Sequence, residues 1–231
     1  MVRLADGALA GAEALLRWRQ PLRGAVSPGE FIPVAAETRL IVDIGAWAFG
    51  HACRIAAAWC AREGGALPRL AVNVSGRQLW GGFNADFVRG VLAETGFPAE
   101  RLVFEMTESL LIDEDRQVGA VLGDFRDLGI GIALDDFGTG YSALGYLRRL
   151  PVTMLKIDRS FVGDIESNRS DAHLVESIIA LGRALELTVV AEGVETAGQA
   201  QILRDLGCEL AQGYFFARPL AAAAFAARYC E

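Results

Sequence analysis

The sequence predicts an α/β fold in which a parallel sheet closes into a barrel, and three observations carry that prediction. Short β-branched or apolar runs alternate with longer segments whose apolar residues recur every three to four positions. About seven such units follow one another within 231 residues, enough for a closed barrel. The glycine-rich phosphate loop that an open doubly wound sheet would carry after an early strand is missing. With 52% hydrophobic residues and no linker, low-complexity tract or long charge block, residues 1–231 read as a single domain around one core.

The first strand-like run is Ala10–Trp18. It is followed by Leu70–Ser75 (LAVNVS), Leu102–Thr107 (LVFEMT), Gly131–Asp136 (GIALDD), Thr153–Asp158 (TMLKID), Leu187–Glu192 (LTVVAE) and Glu209–Tyr214 (ELAQGY). Helical periodicity marks Trp47–Arg62, Ala85–Glu94, Glu114–Leu128, Ala172–Leu185 and Gln199–Leu206 between them. Gly129 and Gly207 stand where helices would be capped by a left-handed residue. Cys53 and Cys60, seven apart on one helical face, and Trp47 and Trp59 are expected to pack between helix and barrel.

A net charge of −7 argues against a nucleic-acid polymer or an anionic membrane as partner, since both require clustered Lys and Arg. It does not exclude a phosphate substrate, because bound metal ions reverse the local repulsion. The four cysteines form neither a CxxC pair nor a disulfide framework, which suits a reducing cytoplasm. No basic segment followed by an apolar core opens the chain, and no membrane span is expected.

Strand side chains alternate faces, so polar residues two positions beyond a small or apolar inward neighbour should converge in the barrel mouth. The rule selects Glu13 with Leu15 and Arg17 in the first run, Asn73 above Ala71, and Glu105 and Thr107 above Val103. It continues with Asp135 after Ala133, Lys156 with Asp158, Glu192 after Val190, and Gln212 after Leu210. Seven strands thus each bring a carboxylate, carboxamide or ammonium toward the carboxyl end, where barrel enzymes place their chemistry. Buried carboxylates are costly unless paired or bound to a cation, and an all-oxygen set suits magnesium or manganese. Adjacent Asp135 and Asp136 would face opposite ways in a regular strand. If the strand ends there, both can turn to one site, as a metal pair about 3.5 to 4 Å apart would need. His51 and His173 fall in helical segments and form no metal cluster.

These residues fall within motifs that resemble the EAL family of cyclic di-GMP phosphodiesterases. The motifs are EALLRW from Glu13, PGEFIPVAAET from Pro28, NVS from Asn73, FEMTES from Phe104, DDFGTGYSAL from Asp135, LPVTMLKIDRSFV from Leu150, VVAEGVET from Val189 and QGYFFARPL from Gln212. The resemblance implies a (β/α)8 TIM-like barrel with an irregular first strand that hydrolyses cyclic di-GMP to linear pGpG. It implies that Glu13, Asn73, Glu105 and Asp135 hold one Mg2+ or Mn2+ ion and that Asp135 and Asp136 reach a second. Ca2+, larger and more loosely coordinated, is expected to inhibit. Lys156 would orient the attacking water or neutralise phosphate charge, and Glu192 would serve as ligand, water-orienting group or general base. Arg17 would grip a substrate phosphate with Leu15 beside it, Gln212 would contact substrate or neighbouring ligands, and Glu195 would support the site from behind.

Phe137, Gly138, Thr139 and Gly140 resemble the start of the family's mobile loop, with Glu108 as its anchor; in the family that loop couples dimerisation to metal binding, which implies a homodimer. Sensor or diguanylate cyclase domains in a longer parent protein are also expected. Two departures stand out. The YQP-type strand that usually precedes the segment from Val2 onward is missing, so the barrel is expected to lack part of its first strand. Ala36 and Arg39 stand, in a segment expected to be helical, where the family more often has an acid and a glycine.

The DFG tripeptide at Asp136 also invites a protein-kinase reading, which fails for want of a glycine-rich loop and an HRD segment. A silent receptor for cyclic di-GMP, or a domain serving only as a protein-interaction module, would be expected to have lost metal ligands that this chain keeps. A phosphodiesterase for another nucleotide would be separated by substrate competition.

Overall fold

The computed structural model describes residues 1–60, 68–108, 110, 115–138, 147 and 149–230, with only the backbone of residues 60 and 115–117. Among the described residues are ten strands: β1 (Val2–Arg3), β2 (Gly11–Ala14), β3 (Trp18–Gln20), β4 (Gly24–Val26), β5 (Arg69–Asn73), β6 (Leu102–Thr107), β7 (Gly131–Phe137), β8 (Met154–Ile157), β9 (Thr188–Ala191) and β10 (Leu210–Ala211). Eight of them form one sheet in the order β1-β10-β9-β8-β7-β6-β5-β2, parallel except for β1. The sheet curls until its edges meet, where Val2 bridges to Leu9 and the Met1 carbonyl accepts from the Ala10 and Gly11 amides at 3.1 and 3.3 Å. A nearly closed eight-stranded barrel results, as expected from the sequence.

The helices are α1 (Pro28–Glu37), α2 (Leu40–Cys60), α3 (Gly76–Trp80), α4 (Ala85–Thr95), α5 (Asp115–Asp127), α6 (Arg159–Gly163), α7 (Arg169–Ala184), α8 (Ala197–Asp205) and α9 (Ala222–Tyr229). Periodicity alone does not single out α1, whose sequence carries two prolines. Pro28 sits at the helix start, where its missing N–H costs nothing, and Pro33 is tolerated inside. Gly129 and Gly207 adopt φ of +89° and +81° after α5 and α8, the cap geometry their positions predict.

Strand side chains sort into two cores. The outward set, including Val72, Phe104, Leu134, Leu155 and Val189, packs under the helices. Phe104 meets Phe49, Phe83 and Phe125 edge-on at 5.7, 5.3 and 4.9 Å. The inward set is a separate apolar layer of Ala71, Val103, Ala133, Met154, Val190 and Leu210 that fills the barrel's interior.

Several expectations need correction. The run Ala10–Trp18 is not one strand: β2 ends at Ala14, level with Val72 near the end of its partner β5, and Trp18 opens the separate β3–β4 hairpin. Leu15 and Arg17 therefore do not share a strand face with Glu13. The last strand is two residues long rather than spanning Glu209–Tyr214. Trp47 is 62% exposed and stacks on His51 instead of entering the core, whereas Trp59 packs against Phe225 at 4.7 Å. Cys53 is buried, and burial pushes its thiol up to about 12, as befits a structural residue; the Cys60 side chain lies outside the described residues. Helix α2 is, over Leu40–Trp59, long and apolar enough to cross a membrane by length and composition, contrary to the expectation of no such stretch. Here it lies against α1, α3, α4 and β5 with Phe49, Cys53 and Ala56 buried.

Candidate active site

Two residues beyond each member of the inward apolar layer stands a polar side chain. Asn73, Glu105, Asp135, Lys156, Glu192 and Gln212 follow Ala71, Val103, Ala133, Met154, Val190 and Leu210, and Glu13 follows Gly11 on β2. Every parallel strand therefore contributes one group to a ring at the carboxyl end, as the two-residue period predicts.

Lys156 stands at the centre of the ring, 1% exposed. Its Nζ lies 2.6 Å from Glu192 Oε1, 3.0 Å from Glu105 Oε1, 3.1 Å from Asp135 Oδ1 and 4.0 Å from Glu13 Oε2. Burial works against its charge, but Glu105, Glu13, Glu192 and Asp135 outweigh burial and hold the ammonium above its ordinary range. Glu13 accepts from Asn73 Nδ2 at 2.8 Å and Gln212 Nε2 at 3.0 Å, and Gln212 Nε2 also reaches Glu192 Oε1 at 2.8 Å. Burial would raise Glu13, yet Lys156 and these two amides pull it below the usual carboxylate range.

One ammonium does not balance the five carboxylates of Glu13, Glu105, Asp135, Asp136 and Glu192. The excess appears as protons held tightly. Burial drives Glu105 well above the carboxylate range, with Glu13 and Asp135 adding to it against the pull of Lys156. Burial likewise pushes Glu192 up to about 7, opposed by Lys156 and reinforced by Asp135. Asp136 is raised by burial, then by Asp135 and Asp158. Glu105 Oε2 is buried without a hydrogen-bond partner, a costly state for a carboxylate oxygen. One oxygen each from Asp135, Asp136 and Glu192 lie within 4.8 Å of one another. An orphaned oxygen, excess negative charge and an all-oxygen donor set together fit a divalent cation.

Asp136 joins this cluster by a route other than the one expected. β7 runs on to Phe137, but its register against β8 slips between Leu134 and Phe137, and Asp136 takes φ +55°. The bulge turns two adjacent carboxylates toward one site without ending the strand.

The remaining sequence candidates divide. Glu108 is buried and its Oε2 accepts from the Gly138 amide at 3.4 Å, so it holds the start of the segment after β7. Gly138 has φ +99°, and a Cβ there would stand 3.0 Å from the Phe161 ring. Phe137 is buried at the strand end. Thr139 and Gly140 lie outside the described residues. Asp158 serves two neighbours: its Oδ1 caps α6 through the Ser160 amide and hydroxyl, and its carboxyl stays close enough to Asp136 to help raise it. Thr107 is exposed, one layer above Glu105. Glu195 is exposed and engaged through its backbone amide to Gln199 Oε1 at 2.7 Å. Leu15 is 45% exposed, and Arg17 is exposed with Nη1 on the Leu16 carbonyl at 2.8 Å.

Gly213 was not among the sequence candidates, yet it positions Gln212. The Val194 amide donates to the Gln212 carbonyl at 3.1 Å and the Phe215 amide to the Val194 carbonyl at 3.0 Å. A Cβ on Gly213 would collide with the Val194 backbone. A glycine directly after a strand-end amide was the available signal.

Comparison with known proteins agrees with this geometry. A family model described as EAL domain matches residues 1–219. The bifunctional diguanylate cyclase/cyclic di-GMP phosphodiesterase MucR of Pseudomonas aeruginosa is 43% identical over 218 residues, covering 94% of this chain and 32% of MucR. The cyclic di-GMP phosphodiesterase NbdA of the same organism is 42% identical over 224 residues, covering 97% of this chain and 28% of NbdA. The chain thus spans about a third of the length of these relatives. The solved structure of the MucR phosphodiesterase in complex with c-di-GMP superposes with a TM-score of 0.92 at 42% identity, covering 97% of this chain and 90% of that one. The EAL enzyme Bd1971 in its cAMP- and cyclic-di-GMP-bound form gives 0.93 at 32% identity, covering 99% and 62%.

Proposed function

Because this chain belongs to the EAL-domain family, we propose that it hydrolyses cyclic di-GMP to linear pGpG with the help of bound divalent cations. The observation that carries the reading is the ring itself: four carboxylates around one buried ammonium, a fifth, Asp136, beside Asp135 and Glu192, and a Glu105 oxygen unpartnered, at the carboxyl end of the barrel. The similarity to MucR and NbdA supplies the substrate.

Glu13, Asn73, Glu105 and Asp135 would hold one ion, Asp136 with Asp135 a second, and magnesium or manganese fits these oxygens best. When bound, such ions compensate phosphate charge and make an attacking water easier to deprotonate. Lys156, fixed by its carboxylates, directs a permanent positive charge at the phosphate oxygen on which charge builds. Glu192, raised to about 7, takes up a proton near neutral pH, the property of a general base. Gln212 donates to both Glu13 and Glu192 and so keeps the proton acceptor in register with the ligands. Arg17 and Leu15, exposed beyond the end of β2, are assigned to the substrate on the family pattern, with Arg17 presenting its guanidinium to a phosphate.

In the longer proteins of this kind, sensor or cyclase domains would govern the activity, and the cytoplasm is its proposed compartment. The homodimer is tested by sedimentation of the purified chain. Activity is tested by incubating the chain with cyclic di-GMP and magnesium or manganese, with and without chelator, and separating the products. Metal-dependent pGpG, absent from the Glu13→Ala variant and suppressed by calcium, is the expected result. Binding of cyclic di-GMP without any product would make the domain a receptor instead.

A further inference from the structure

The barrel has a second opening, at the end away from the carboxylates. A cavity of about 240 Å³ lies among the residues that begin β5 to β9 and the turn leading into β7. Its floor is Val103 and Met154 of the apolar interior layer, which separates it from the ring above. Two basic residues, Arg69 and Arg126, line it against a single acidic one, Glu100. That local excess of positive charge opposes the net charge of −7 on the whole chain.

The two arginines come from different elements, β5 and α5, and approach the cavity independently. Arg126 spends one donor, Nη1, on the Ile130 carbonyl at 2.8 Å, which fixes its fork and leaves further donors. Among the described residues, no ion pair or hydrogen bond engages the Arg69 side chain. Glycines keep the space open. A Cβ on Gly129 would meet only the Glu100 amide nitrogen, at 3.9 Å, and one on Gly131 would press on Val103 at 3.2 Å and Thr153 at 3.4 Å.

We propose that this cavity binds a small phosphate-type oxyanion, free or carried on a small organic group, gripped by Arg69 and Arg126. Two forks arriving from two elements suit a tetrahedral anion, whose oxygens project in several directions, better than a planar carboxylate. The site is independent of the catalytic ring and does not rest on the proposed function.

The probe is inorganic phosphate, titrated into chelator-treated protein at low ionic strength and followed by amide chemical shifts, with chloride at matched ionic strength as control. Saturable shifts centred on residues 69, 100, 126 and 131 are expected. Arg69→Ala should weaken the binding about tenfold or more, Arg69→Lys should weaken it less, and Glu100→Gln should tighten it. Glu13→Gln, at the other end of the barrel, should leave it unchanged. Shifts that fail to saturate, that chloride reproduces, that persist in both folded Arg69 variants or that vanish in Glu13→Gln would each overturn the assignment. A titration with glycerol phosphate then separates the free anion from a phosphate carried on an organic group.

Discussion

Lys156 neutralises more negative charge than any other residue in the barrel, and its replacement is the most direct test of the electrostatics. Lys156→Met would leave Glu105, Asp135 and Glu192 facing one another without their cation, a loss of about 3 to 5 kcal/mol for a broken buried pair. Added magnesium should restore part of that loss, and thermal melts with and without the ion measure both effects; a variant as stable as the parent in chelator would mean that protons already do the work of the ammonium. The raised groups give a second test. Glu192 folds with its proton held up to about 7 against an ordinary 4.5, so between those values the folded protein keeps a proton that the unfolded chain has released. Stability of the metal-free protein therefore falls as pH rises through that window, and Glu105 and Asp136 shift in the same direction. The chelator-treated chain should melt at a lower temperature at pH 7.5 than at pH 5, and Glu192→Gln should shrink the difference. A melting temperature that climbs over the same range would refute the assignment. Most of this ring was legible in the sequence because a strand repeats every two residues, so an apolar layer at Ala71, Val103 and Ala133 dictates what stands above it. Asp136 was not legible in the same way, since a bulge leaves no signature in a period of two.

Among the elements, the short ones hide most from sequence. β10 has two residues, too few for a pattern, and its function depends on the turn behind it rather than on its own ladder. Gly213 lets that turn lie directly on Val194, which fixes Gln212 between Glu13 and Glu192. Gly213→Ala must push the two backbones apart, so a destabilisation of about 2 kcal/mol or more is expected, together with loss of turnover beyond what the stability change explains. Chemical denaturation gives the first quantity and product formation at a temperature where the variant is fully folded gives the second; full activity would remove Gln212 from the machinery. The first strand was misjudged for a related reason. Nothing in EALLRW announces that β2 stops at Ala14, where it leaves its ladder opposite Val72 while β5 runs on to Asn73. Arg39 corrects another reading: it lies between α1 and α2 at φ +64°, not inside a helix. A left-handed turn explains why glycine is the family's more frequent residue there.

At the scale of the whole molecule, the barrel depends on closure across its one antiparallel strand. β1 is only Val2–Arg3, yet it pairs with β10 on one side and, through Met1 and Val2, with the approach to β2 on the other. Leu4 follows it at 2% exposure, its amide on the Glu209 carbonyl at 3.0 Å and its own carbonyl held by Arg204 Nε at 2.7 Å. This pairing ties the first residues to the last strand and to α8. If the seam completes the barrel, the strand order makes every ladder depend on it, because an open edge exposes β2 and β10 and lets water into the interior layer. Leu4→Ala should then cost about 2 to 5 kcal/mol and lower the whole unfolding transition, with far-UV ellipticity and tryptophan fluorescence still changing together. If β1 is only a frayed attachment, the same substitution leaves the main transition in place and merely speeds amide exchange at Leu210 and Ala211.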